Sequence, residues 1–282
     1  MAQYAQSGNL VTESREIATS ETWASQSDWE AYQERNNVEI ANGSLQLAEA
    51  PDIPDSEADQ KLAHRWLLDD VNSIVVDLIG SADGSNNGVT SVAGDYAGGS
   101  AGDGNGADND IVADLNGFGS EMSGGFAVAW TMETEEGGTD KHLFGHWDVP
   151  GRFTAYINED SDFNNSDGAV SFTILDNNSD QLNVSSTSQN INDGGKYRIV
   201  VNVPDPSQND IEVWVNQTDH TDETSRNDNP SDFTDLFNEF AMFAVYDGNE
   251  TIRHTETVLD DICLYDDSLT SAEIGSYNNP WI

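Results

Sequence analysis

Positive charge is what this sequence has least of. Across 282 residues, ten Lys and Arg stand against 52 Asp and Glu, a formal net charge of −42, and the lysines are only Lys61, Lys141 and Lys196. So few cations cannot build a basic patch that tracks a phosphate backbone, which excludes nucleic-acid binding as a function class. The acid runs from Glu13 to Asp267 without gathering into a tail. Such a surface repels itself in dilute buffer. It suits concentrated brine, because the Debye length shrinks to about 3 Å in molar salt, and a halophilic source is expected.

Cysteine is nearly absent too. Cys263 stands alone, so no intrachain disulfide can form, and its strand parity makes it a small apolar filler rather than a nucleophile. No apolar run approaches the length of a membrane-spanning helix. The opening MAQYAQSGNLVTESREIA has no basic n-region, apolar h-region or twin-Arg pair, so neither export nor membrane insertion is expected. The glycine-rich run GDYAGGSAGDGNGAD, 94–108, lacks the Gly-Lys-Ser/Thr of a phosphate loop. It fails as an EF-hand because Ala107 and Asp108 fall where an oxygen ligand and Gly belong. It reads as a long surface loop.

Aromatics, by contrast, are plentiful: seven Trp, ten Phe and eight Tyr in so polar a chain argue for a packed core rather than disorder. FAVAWTMET places Phe126, Val128, Trp130 and Met132 on one face of a strand. KYRIVVNV, IEVWVN and FAMFAVYD repeat the theme, separated by Asn, Asp and Gly turn clusters. Many such strands with few helix signals predict an all-β fold, a two-sheet antiparallel jelly-roll sandwich, over 61–282. Residues 1–55 are set apart by the acidic, proline-bearing linker PDIPDSEADQ. Within them, 1–20 read as a polar arm, and SDWEAY carries a capping box from Ser27 to Glu30 with Trp29 and Tyr32 on one helical face. NVEIANGSLQLA sets Val38 and Ile40 opposite Leu45 and Leu47 across Asn42-Gly43, a hairpin signal. This small helix-plus-hairpin module exposes aromatics, Trp23 among them, that call for a partner surface, so an attachment or homo-oligomerisation role is expected.

The stretch LDDICLYDDSLTSAEI, 259–274, reads as a last strand followed by a helical turn. Strict alternation puts Ile262 and Leu264 on one face, Cys263 and Tyr265 on the other, and gives Asp260 the parity of Ile262. If that face is the core, the Asp260 carboxylate needs a cation or several hydrogen bonds. Ser268 or Thr270 is placed to cap the helix, with Glu273 at the positive end of its dipole. Together with HRWLLDD and VVDLIGSADGSNNG, 64–88, and GNGADNDIVAD, 104–114, this stretch resembles the laminin G-like, concanavalin A-like lectin/glucanase jelly rolls, in the family's order. The resemblance implies that the first and last strands lie side by side, and that an inward Asp on the last strand helps to hold calcium. Carried onto this sequence, the ligands are Asp260, Asp261 and Asp77, hard oxygen donors that suit the ion. Read from the residues alone, Asp260 is equally open to hydrogen bonding by backbone amides.

Some jelly rolls of this class cleave β-glucans with two Glu flanking an Asp on one strand, at the short separation that retaining hydrolysis needs. No E-x-D-x-E or E-x-D-x-x-E occurs in a strand here, NDIEVW offering only Asp210 and Glu212, so a non-enzyme is expected. In HLFGHWD, His142 and His146 share parity with Phe144 and Asp148, a set that a transition metal accepts and that half-exposed sheets also use as ordinary polar positions. Trp147, on the opposite face, offers what sugar-ring stacking uses, and Trp147 with His146 are the candidate glycan contacts. Sequons beginning at Asn42, Asn164, Asn177, Asn183, Asn216 and Asn249 permit glycosylation. A glycan-binding type of fold, a salt-adapted surface and no export signal together predict a non-enzymatic virion surface protein of a halophilic archaeal virus. It would be a decoration, turret or fibre component whose partners are other virion structural proteins and host surface glycans. The alternatives are a halophilic extracellular or cell-surface carbohydrate-binding or adhesion module, and a degenerate glycoside hydrolase.

Overall fold

In the computed structural model, the alternation of FAVAWTMET becomes the strand Phe126–Glu133, at the middle of an eight-stranded antiparallel sheet. Phe126, Val128, Trp130 and Met132 enter the main core, while Ala127 and Ala129 turn to the opposite face. The neighbouring strands Lys196–Asp205 and Asp210–Val215 obey the same period, sending Ile199, Val201, Val203, Ile211 and Val213 inward. On the other side of Phe126–Glu133 lies the closing strand Val258–Tyr265, and against it the opening strand Leu62–Trp66, antiparallel, with Ile262 opposite Trp66. First and last strands therefore lie side by side, as the resemblance implies.

The second sheet has eleven strands. Its middle runs Gln181–Ser185, Val170–Leu175, Arg152–Ile157, His142–Trp147, Glu239–Met242 and Asp110–Asp114, every neighbouring pair antiparallel. Phe153, Phe172 and Phe240 from this sheet meet Trp66, Phe126 and Trp130 from the other; Trp66 stacks on Phe240 at 5.7 Å and Trp130 stands edge-on to Phe144 at 4.9 Å. All of these rings are fully buried. The expected all-β, two-sheet antiparallel sandwich is the fold observed.

The structure describes residues 60–276, apart from 70, 95–98, 116, 136–140, 148–150, 158–167, 187–189, 222–224 and 235, together with four short strands nearer the N-terminus. By its internal contacts the chain divides into two units, Met1–Ser56 and Glu57–Ile282. In the first, Val38–Ala41 pairs with Ser44–Leu47 in the register that Asn42-Gly43 predicts, Val38 opposite Leu47 and Ile40 opposite Leu45. The segment read as a polar arm instead holds a second antiparallel strand pair, Ala2–Gln6 against Asn9–Glu13. The helix expected around Ser27, Trp29 and Tyr32, the residue Trp23 and the linker 51–59 lie outside the described residues.

One further expectation changes, and one open choice is settled. The glycine-rich run is not one long loop, because Ser100–Asp103 pairs with Thr90–Ala93 and with the closing strand. Its glycines serve close approach: a Cβ on Gly102 would stand 2.8 Å from the Phe243 ring, and one on Gly104 2.7 Å. At the C-terminus the helix Ser271–Ser276 is capped by Thr270 rather than Ser268. Thr270 Oγ1 accepts from the Glu273 backbone N–H, and Glu273 Oε2 accepts from the Thr270 N–H at 2.6 Å, a reciprocal capping box that Lys61 closes at 3.1 Å. Leu269 and Ile274 then cover Cys263 and Tyr265 on the back of the eight-stranded sheet, which makes Cys263 the apolar filler expected.

Candidate functional site

The strand His142–Trp147 carries the sequence's glycan candidates, and a bulge decides where they point. Its register with Arg152–Ile157 shifts between His142 and Phe144, so Leu143 is an extra residue and both Leu143 and Phe144 reach the core. Parity is thereby reversed for His142, which joins Trp147 on the face turned away from the core. His146 stays on the inner side, 8% exposed, with Nδ1 against the Glu239 carbonyl oxygen at 3.0 Å and its ring edge-on to Phe237. Trp147 and His146 thus do not converge, nor do His142 and His146. Gly145, at φ +135° with the Phe153 carbonyl where a Cβ would sit, lets the two strands stay close through this irregular stretch.

Opposite Trp147 in register is Arg152, and opposite His142 is Tyr156. The Arg152 guanidinium carbon lies 3.6 Å from the centre of the indole and that of Arg253 4.3 Å, while the His142 ring meets the indole edge-on at 5.0 Å and Tyr156 at 5.1 Å. Each guanidinium–indole contact contributes about 0.5–2 kcal/mol, according to how far it is desolvated. The hydrogen bonds fix the imidazole's state. Thr154 Oγ1 donates to the Phe144 carbonyl, so it accepts from His142 Nδ1–H at 2.8 Å, which leaves Nε2 to accept from Arg253 Nη1–H at 3.1 Å. Burial, and then the charges of Arg253 and Arg152, push the His142 pKa down to about 3, so the ring is neutral. The result is a half-exposed Trp–Arg–Arg–Tyr cluster on a neutral histidine, in a chain with ten cationic side chains. In RFTAY the alternation around Phe153 and Ala155 could have found Arg152 and Tyr156. Nothing in the sequence singled out Arg253.

The three carboxylates expected to hold calcium have other partners. Asp77 is buried and organises its own turn: Oδ1 accepts from the backbone N–H of Arg65, Ile79 and Gly80, and Oδ2 from that of Ala82 and from His64 Nδ1 at 2.7 Å. Asp261 lies between two guanidiniums, Arg65 Nε at 2.7 Å and Arg198 Nη1 at 3.1 Å. Asp260 Oδ1 accepts from the Leu68 N–H at 3.2 Å. That donor set does not fit calcium, because Asp77 is saturated by N–H donors and the cations beside Asp261 would repel the ion. Among the described residues no three His, Cys, Asp or Glu side chains are grouped to hold a metal. Strict alternation also fails here. The closing strand bulges opposite Trp130, and Asp261 takes a left-handed φ of +47°, which puts its carboxylate beside Cys263 on the outer face.

Burial raises the Asp77 pKa, but the hydrogen bonds from His64 and the backbone of Arg65, Ala82 and Gly80 outweigh it and hold the carboxyl well below its usual range. A depressed acid stabilises the fold above its unfolded pKa near 3.8, and that contribution is lost as the pH falls below it. Asp77→Asn turns an amide N–H₂ toward backbone donors and is expected to destabilise the sandwich by about 3 kcal/mol at neutral pH. The difference from wild type should narrow as both are acidified. Denaturant titration at two pH values measures it, and an undiminished difference in acid would contradict this account.

A separate cavity of about 420 Å³ is lined by Asp103, Glu133, Glu135 and Glu256, beside Gly194 and Thr257. Burial and the neighbouring Glu256 push the Asp103 pKa up, the opposite of Asp77.

No family model matches the chain, and no curated protein matches it in sequence. Solved structures do match. The binding domain of Paraclostridial Mosquitocidal Protein 1 has a TM-score of 0.55 and 12% identity, over 77% of this chain and 52% of that one. The binding domain of botulinum neurotoxin serotype D has a TM-score of 0.53 and 9% identity, over 78% and 52%. That of serotype G has a TM-score of 0.53 and 12% identity, over 76% and 50%. The chain spans about half the length of these structures. At such identities the likeness is one of fold, and the chain is an all-β sandwich of the kind those domains contain.

Proposed function

We propose that this chain is a non-enzymatic binding module whose contact surface is the Trp147 face of the eleven-stranded sheet, and that its ligand is a surface glycan. The observation that carries the reading is the association of Trp147, Arg152, Arg253 and Tyr156, half-exposed together on one side of paired strands. Trp, Tyr and Arg are the residues that dominate binding energy at interfaces, because they combine large area with directed donors. The toxin binding domains of similar fold favour a binding role by analogy of architecture. The acidic chain suits molar salt, and within that setting we place the module on the surface of a halophilic virus particle, attached through residues 1–55 to other structural proteins.

The test is retention of the full chain on an array of surface glycans in molar salt, with Trp147→Ala alongside. Wild type should be retained and the variant's apparent affinity should fall about thirtyfold, the scale of a tryptophan hot spot. Near-ultraviolet circular dichroism confirms that the variant is folded. Absence of retention, or equal retention of a folded variant, would overturn the proposal.

A further inference from the structure

We infer that Ile74, Val76, Leu78 and Ile79 form a docking surface for a second copy of this chain, the two rows of side chains meeting about a two-fold axis. The surface lies at the end of the eleven-stranded sheet, four strands along from His142–Trp147, and does not depend on the binding reading. These four side chains are between 50% and 56% exposed, and no other large apolar side chain of the described residues is exposed to that degree. Single apolar residues scattered over a surface are ordinary. Four within six positions make a contiguous patch, and such patches mark interaction sites.

The row is built rather than accidental. Ile74–Val75 is the terminal strand of its sheet, paired with Gly84–Asn87 on one side and with no described strand on the other. Its period of two sends Val75 into the core and the Asp77 carboxylate inward, so Ile74, Val76 and Leu78 share the outer side. Asp77 then fixes the stretch by accepting from the backbone N–H of Arg65, Ile79, Gly80 and Ala82, while its own N–H donates to Asp83 Oδ1 at 2.9 Å. The Leu78 N–H donates to the Arg65 carbonyl at 2.8 Å. With the backbone of 77–80 tied inward, the segment offers side chains outward in a fixed arrangement, which lowers the ordering cost of association.

Charge names the occupant. From Val71 to Ala82 the one charged residue is Asp77, and its carboxylate is turned inward, so the row shows no charge in a chain of net −42. A basic partner would be drawn to the acids on the rest of the surface and has nothing to pair with here, and an anionic lipid surface is repelled by the chain as a whole. Another acidic protein, its repulsion confined to a few ångströms in molar salt, can close on an uncharged apolar row and on little else. A second copy of this chain is such a protein and brings the same row, so an isologous contact needs no other complement. Four half-exposed side chains make a patch of a few hundred Å². Two of them bury less than the roughly 1,200 Å² at which stable complexes begin, so the dimer is weak and forms where copies are concentrated.

The experiment is sedimentation equilibrium of the full-length protein in molar sodium chloride, over about three decades of concentration up to about 1 mM. Wild type should associate with a midpoint of about 100 µM, and Val76→Thr with Leu78→Gln should move that midpoint up at least about tenfold. Both substitutions fall at exposed positions, and an unchanged melting temperature in the same salt shows that the variant is folded. Because residues 1–55 are also expected to associate, the shift on substitution is the readout. A wild type that stays monomeric throughout, or a folded variant that associates as tightly as wild type, overturns the inference. So does a monomeric wild type that floats with neutral phosphatidylcholine vesicles while the variant does not, which assigns the row to a lipid surface instead.

Discussion

Asp261→Asn is expected to destabilise the sandwich by about 3–5 kcal/mol, because it removes a negative charge that lies between two guanidiniums, one of them buried. Arg198 is 3% exposed, and its Nη1 reaches the Asp261 carboxylate at 3.1 Å, the Asp261 carbonyl at 2.9 Å and Thr131 Oγ1 at 3.3 Å. Arg65 Nε binds the other carboxylate oxygen at 2.7 Å. The three side chains come from the opening strand, the closing strand and Lys196–Asp205, so the pair ties the two ends of the unit to the middle of its sheet. Burial alone would raise the Asp261 pKa; Arg198 and then Arg65 overcome it and hold the acid below its usual value. Its contribution is therefore present above the unfolded pKa near 3.8 and is lost as the pH falls through the folded one. Molar salt should not abolish the effect, since buried pairs are screened far less than exposed ones. Chemical denaturation in molar salt at neutral pH measures it. Adding Arg198→Met should recover part of the loss by removing the stranded charge, and a loss below about 1 kcal/mol in the single variant would contradict the assignment.

Asp261 also marks where the sequence stops being legible. The period of two located the core correctly wherever strands are regular: Phe126 to Met132, Ile199 to Val203, and Ile211 to Val215 all turn as alternation predicts. Alternation carries no information about an inserted residue, and an insertion lies in the strand that carries Asp260 and Asp261 and in the one that carries His146 and Trp147. One bulge opposite Trp130 gives Asp261 rather than Asp260 the ion pairs; another at Leu143 moves His142 to the face of Trp147 and separates it from His146. A bulge is chosen by what the flanking strands can pack, a long-range property with no local signature beyond an occasional glycine such as Gly145. Arg253 was invisible for a related reason. It lies more than a hundred residues from Trp147 in sequence, and its own segment, TIRHTET, has no strong period. The opening and closing motifs, in contrast, were readable because an Asp in a turn and an Asp pair on a strand leave local patterns, although those patterns suggested calcium where the structure uses N–H donors and guanidiniums.

Withdrawal of salt should unfold the protein. Unit charges about 4 Å apart repel by about 1 kcal/mol even in bulk water. At molar salt each exposed carboxylate responds only to its nearest neighbours, whereas in dilute buffer the Debye length grows to about 30 Å and every carboxylate of a domain this size is in range. With a net charge of −42, tens of such small repulsions accumulate. Even a part of their sum is large against the roughly 5–15 kcal/mol by which domains are ordinarily stable. The melting temperature is therefore expected to fall continuously as sodium chloride is reduced, with no cooperative transition left at low millimolar concentration. The effect of pH separates this mechanism from a specific salt requirement. Acids such as Asp103, whose pKa is pushed up by burial and by Glu256, destabilise the fold when ionised and relieve it as they take up protons on acidification. Asp77 and Asp261, held below 3.8, are still ionised in that range and go on stabilising it. Low-salt stability should thus recover on mild acidification, between the raised and the depressed values, and collapse again at lower pH. Thermal melts over a grid of salt and pH decide the matter: a melting temperature that is flat in salt, or low-salt stability that only declines on acidification, would refute a repulsion-limited fold.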